Sequence, residues 1–101
     1  MENYDQMVEK VLEGDPRAQS ALYRQFQPDM LRLANLWLPS PLLAEEAVNG
    51  GLAAMFTKFP QYVHEGAECL RKWITGFVML EVMQTLRKAG RRSVLQFCLP
   101  F

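Results

Sequence analysis

The chain is predicted to be all-α, a compact bundle of about four helices, on three observations. No stretch sustains period-two alternation, and no short β-branched run is framed by turn dipeptides. Apolar residues instead return every three or four positions. Between the periodic stretches stand residues that stop or start helices: Gly14, Asp15 with Pro16, Ser40 with Pro41, and Gly90. With 101 residues, half of them hydrophobic, the chain can bury one core but not two.

The first helix is expected over about Tyr4 to Glu13, with Met7, Val8, Val11 and Leu12 as its apolar stripe. Gly14 suits the left-handed residue after a helix end. Asp15 then caps the next helix, and Pro16 takes its first position, where a missing N–H costs nothing. That second helix should run to about Leu38, burying Leu22, Phe26, Met30, Leu33 and Trp37, with a kink or short break at Pro28. In "PSP", Ser40 can cap and Pro41 can open a third helix to about Lys58, burying Ala44, Ala47, Val48, Leu52, Met55 and Phe56. "FPQYVHEGAE" reads as a loop. A fourth helix from about Ala67 to Ala89 follows, with Gly90 able to end it, and residues 93–101 form an apolar tail after a domain spanning 1–92.

Chemistry-bearing constellations are sparse. His64 is the sole histidine and falls in the loop, where a solvated role is expected. Glu45 and Glu46 are neighbours, so on a helix they point about 100° apart and cannot face each other as acid and base. Neither a phosphate-cradling glycine loop nor a zinc-type cluster is present, so no metal or other cofactor is expected and a binding role is favoured over an enzyme. Cys69 and Cys98 read as small buried hydrophobes rather than a disulfide. The opening "MENYDQMVEK" lacks the marks of a secretory signal and no run is long enough for a membrane span, so a cytoplasmic protein without a membrane partner is expected.

Net charge is zero but unevenly spread. Residues 1–70 carry ten acids and five bases; residues 71–101 carry six bases and one acid, Glu81. Those bases, Arg71, Lys72, Arg87, Lys88, Arg91 and Arg92, are the candidate phosphate contacts.

"LEGDPRAQSALYRQFQPDMLRLA", Leu12 to Ala34, resembles the opening of the second conserved region of the extracytoplasmic-function (ECF) sigma factors. "AEEAVNGGLAAMFTKFPQY" and "LRKWITGFVMLEVMQTLRKAGRR" are similar to that region's later helices, in the same order, so the likeness covers about Val8 to Arg92. It implies a helical domain that docks on the clamp of the bacterial RNA polymerase core and recognises and melts the promoter minus ten element. The family's clamp contact uses an acid, a glutamine and a second acid on the third helix. These positions fall on Glu46, Asn49 and Gly50, with Ala53 in register on the same face.

Two departures from the family matter. Gly76, Met79 and Leu80 stand where members place polar DNA-facing groups, so direct base readout is lost and promoter DNA should be held weakly, by charge. The residues after Arg92, "SVLQFCLPF", are too few and too apolar to form the family's helix-turn-helix domain, so recognition of a minus thirty-five element is not expected of them. Trp73 matches a family tryptophan, and core packing is its expected role. The resemblance thus implies a stand-alone, divergent sigma region 2 domain. The alternative is a non-initiating interaction module, a possible homodimer. Its contacts would lie at Met79 and Leu80 and at the small face made by Gly50, Ala53 and Ala54, unless the tail residues Val94, Leu95, Phe97, Leu99 and Phe101 cover the fourth helix instead.

Overall fold

The computed structural model describes residues 4–98, with side-chain surroundings for residues 4–88. Among the described residues there are four α-helices and no strand: α1 (Tyr4–Leu12), α2 (Pro16–Trp37), α3 (Pro41–Lys58) and α4 (Ala67–Cys98), with a single 3₁₀ turn, Phe59–Gln61, after α3.

The junctions form as the sequence predicts. Gly14 takes φ 86°, and the chain closes α1 with a paired cap: Gly14 N–H donates to Val11 O and Asp15 N–H to Lys10 O, both at 3.0 Å. The Asp15 carboxylate accepts from Arg17 N–H at 2.9 Å, and Ser40 Oγ accepts from Leu43 N–H at 3.2 Å. Each cap satisfies an amide that the helix itself leaves unpaired. The reversal before α4 uses Gly66 at φ 114°.

One row of side chains per helix builds the core. Val8 and Val11 come from α1, then Ala18, Leu22, Phe26, Met30 and Ala34 from α2. The rows continue with Ala44, Ala47, Val48, Gly51, Leu52 and Met55 from α3, and Leu70, Ile74, Val78 and Val82 from α4. Full burial of a side chain such as Leu22, Phe26 or Ile74 contributes about 1.5–3 kcal/mol each. Phe59, Tyr62, Trp73 and Phe77 form an aromatic cluster where the 3₁₀ turn meets α4. Trp73 lies edge-on to Phe59 at 5.6 Å and to Phe77 at 4.8 Å, and 4.6 Å from Tyr62. Trp73 therefore packs, as expected.

Several expectations are corrected. The buried row of α2 ends in Ala34 rather than in Leu33 and Trp37; Leu33 is half-buried and Trp37 is 55% exposed. A strict four-residue step keeps Ala18 and Ala34 on the row of Leu22, Phe26 and Met30. Likewise Phe56 and Met7 are half-buried and Leu12 is exposed. Pro28 does not break α2, which is one continuous helix. Gly90 does not end α4, which runs to Cys98. A glycine permits a stop without imposing one, and in a helix interior it costs only about 1 kcal/mol. The alternative in which Val94, Leu95, Phe97, Leu99 and Phe101 cover the fourth helix, and the expected burial of Cys98, lie outside the described side chains.

The most extensive helix contact is between α3 and α4. They are antiparallel: Gly50 lies against Glu81 and Gly51 against Val78. A Cβ on Gly51 would stand 2.6 Å from Val78 Cα, so here the two backbones touch where only glycine fits.

Candidate docking face and basic end

Steps of four, three and four residues along α3 carry Leu42, Glu46, Asn49 and Ala53 onto one face, and all four are exposed. The buried row of α3 faces the other way, with Gly51 packed directly against the backbone of α4. Leu42 was not singled out by the sequence, since a leucine at the start of a helix reads as core. It is 64% exposed, and Leu36 (80%) and Trp37 (55%) stand exposed on the last turn of α2.

Gly50, the fourth residue expected on this face, belongs to the packing side instead. It is half-buried, and a Cβ there would lie 3.3 Å from Glu81 Cδ. The glycine clears room for a carboxylate from α4. This also corrects the small-residue stripe of Gly50, Ala53 and Ala54. Gly50 is occupied within the molecule, Ala54 is half-buried, and only Ala53 is exposed.

Asn49 is held from α2. The Tyr23 hydroxyl donates to Asn49 Oδ1 at 2.9 Å, across 26 residues of sequence. Tyr23 also lines a shallow groove of about 550 Å³ between α2 and α3, with Pro16, Gln19, Ser20, Arg24 and Phe56. Sequence reasoning missed Tyr23. Its signals were its place beside buried Leu22, on the flank of the α2 row, and the leucine-tyrosine pair within the segment that bears the resemblance.

The basic residues divide into two groups. Arg71 is engaged: its guanidinium reaches Asp29 Oδ2 at 3.5 Å and lies 5.8 Å from the Phe26 ring centroid, bracing α4 on α2. Asp29 also pairs with Arg32, one helical turn on. Arg71 is thus a structural contact more than a free phosphate ligand. Lys72, Arg87 and Lys88 are exposed. Arg91 and Arg92 continue α4, and their side chains lie outside the described set. Gly76 is open to solvent, with nothing within 4 Å of a Cβ built there. Of the two expected interface residues, Leu80 is 61% exposed, whereas Met79 is half-buried against the core. Met83, three residues past Leu80, is the other exposed large apolar side chain of α4 among those described.

His64 corrects the expectation of a solvated loop residue. Its side chain is 15% exposed. Nδ1 lies 2.7 Å from the Tyr62 hydroxyl and Nε2 lies 2.7 Å from Asp5 Oδ1. A neutral ring with its proton on Nε2 satisfies both bonds, accepting from Tyr62 and donating to Asp5. The three residues clip α1 to the loop before α4. Burial first, and then the neighbouring Cys69 thiol, hold the Tyr62 phenol well above its ordinary pKa. Cys69 is half-buried and its thiol donates to Val63 O at 3.6 Å. Among the described residues no three His, Cys, Asp or Glu side chains gather to hold a metal ion, and no helix is long and apolar enough to cross a membrane.

No protein-family model, curated protein or solved structure matches this chain.

Proposed function

We propose that this chain is a divergent sigma region 2-type domain, a transcription factor that docks on the RNA polymerase core through the outward face of α3 and touches promoter DNA weakly through the basic end of α4. The observation that carries it is the continuity of Leu42, Glu46, Asn49 and Ala53 on one exposed face, on the third helix of four, in the segment whose residues bear the resemblance. Exposed Trp37, Leu36 and Leu42 at one end add the kind of apolar anchor that protein interfaces use, with Glu46 and Asn49 as polar neighbours. Gly50 supplies no second acid, so of the positions that the resemblance places in the contact Glu46 carries the one charge, and polymerase affinity should depend on it.

The test is a binding titration of the full chain with bacterial RNA polymerase core. Glu46→Lys is expected to weaken binding at least tenfold, and unchanged affinity would sink the assignment. In this reading the chain is not an enzyme and acts in the cytoplasm, where its partners are.

A second reading is favoured by one observation, the exposed Leu80 and Met83 on α4. The chain is then an interaction module that pairs with a second copy of itself without initiating transcription. Sedimentation equilibrium at micromolar concentration separates the two: a dimer that Leu80→Glu dissociates supports the module, and a monomer that binds polymerase supports the first reading.

A further inference from the structure

The bond between Tyr23 and Asn49 fixes more than a side-chain position. Because the Tyr23 hydroxyl donates to Oδ1, the amide has a defined orientation, with its acceptor turned to α2 and its NH₂ group left over. Among the described residues Nδ2 donates to no acceptor, although Asn49 is exposed on the α3 face. The groove lined by Tyr23, Ser20, Arg24 and Phe56 opens beside this pair.

We infer that Tyr23 is a positioning residue for the docking face: it holds the Asn49 amide so that α3 presents a hydrogen-bond donor, and the partner must offer an acceptor there, a backbone carbonyl or a carboxylate. This rests on the proposed docking of α3 on RNA polymerase and extends it to a residue of α2. Glu46 presents an acceptor one helical turn away, so the face reads a partner with a base or donor opposite Glu46 and an acceptor opposite Asn49. Wrong polarity at either point places like groups together, which an interface tolerates poorly. Holding the amide in place before contact also removes an ordering cost that binding would otherwise carry.

The test is a titration of RNA polymerase core with the wild-type chain and with Tyr23→Phe, Asn49→Ala, the double variant and Asn49→Asp, with thermal melts of each. Tyr23→Phe is expected to weaken binding about three- to tenfold, the range for freeing one ordered side chain. In the Asn49→Ala background it should add nothing, because there is no amide left to orient. Asn49→Asp keeps the bond from Tyr23 and nearly the same shape but replaces the donor with a second acceptor. It should bind no better than Asn49→Ala while melting near the wild-type temperature.

A Tyr23→Phe chain that loses affinity equally in both backgrounds has a general structural role, and that result overturns the inference. So does an Asn49→Asp chain that binds as wild type. In either case the docking itself stands, since the wild type binds. A wild-type chain with no affinity for the polymerase overturns both.

Discussion

Gly51 of α3 stands so close to Val78 of α4 that a methyl group on it would lie 2.6 Å from the Val78 Cα and 3.0 Å from its amide nitrogen. Replacing glycine with alanine inside a helix ordinarily gains up to about 1 kcal/mol. Here the clash is with backbone, which cannot swing aside, and overpacking of this kind costs about 1–3 kcal/mol. Gly51→Ala is therefore expected to lower stability by about 1–2 kcal/mol, read as a fall of several degrees in Tm. The adjacent Gly50 faces only the end of the Glu81 side chain, at 3.3 Å. Gly50→Ala should raise stability by about 0.5–1 kcal/mol, and the opposite signs of these two neighbouring changes are the check.

Gly50→Glu separates propensity from charge. The sequence resemblance implies an acid at this position, and the helix gains from losing a glycine. The structure puts Glu81 against the site, so the new carboxylate meets a like charge. Gly50→Glu should be less stable than Gly50→Ala at low salt, and the gap should narrow in high salt as the repulsion is screened. A gap that ignores salt, measured by denaturant titration at two ionic strengths, would count against the contact.

Binding to DNA should be mostly electrostatic. If the four bases Arg87, Lys88, Arg91 and Arg92 each neutralise a phosphate, log affinity falls against log salt with a slope of about 3 to 4. Arg87→Ala and Lys88→Ala should each lower that slope by about 1. Arg71→Ala should leave the slope almost unchanged but lower the Tm, because its guanidinium is occupied by Asp29 and by the face of Phe26. Fluorescence anisotropy over a salt series measures the first, and a melt the second.

Alkali should destabilise the fold through Tyr62. Its phenol pKa is raised in the folded chain, chiefly by burial, so above about pH 10 the unfolded chain gives up this proton while the folded chain keeps it. The unfolded state then binds fewer protons than the native state, and stability falls as pH rises. Tyr62→Phe should flatten the decline in Tm between pH 9.5 and 11 while starting from a lower value, since the hydrogen bond between the Tyr62 hydroxyl and His64 Nδ1 is lost. A decline just as steep in the variant would assign the effect elsewhere.

How far the fold could be read from the residues depended on what each residue signals. Caps and stops act within a few positions, so Gly14, Asp15 and Ser40 announced their junctions and the structure places them there. The row of α2 was legible at Leu22, Phe26 and Met30 and failed at Trp37, because hydrophobicity counts bulk whereas the four-residue row runs on to the small Ala34 and leaves Trp37 off it. Gly50 read as part of an exposed face of small residues with Ala53 and Ala54, and nothing local marked its neighbour Gly51 as a helix contact. Only the register of α4 shows that one glycine touches Val78 and the other clears Glu81. Tyr23 with Asn49, and Asp5 with His64, are meetings between distant parts of the chain, and no local pattern encodes them. The exposed α3 face at Glu46, Asn49 and Ala53 was pointed to by the family resemblance, with helical spacing keeping these residues in register, while Leu42 was hidden by its apolar character.

The Asp5–His64 contact has a consequence for the order in which the molecule assembles. It joins residues 59 apart, whereas α1 reaches α2 through Gln25 and Tyr4, which are only 21 apart. Closing a longer loop costs more chain entropy, so local pairing of α1 with α2 comes early and the clip to the loop before α4 comes late. An interaction missing from the transition state acts as a brake on opening rather than as an aid to closing. His64→Ala should accordingly speed unfolding in stopped-flow experiments and leave the refolding rate nearly untouched, which would give a residue with no evident part in binding a share in how long each folded copy survives.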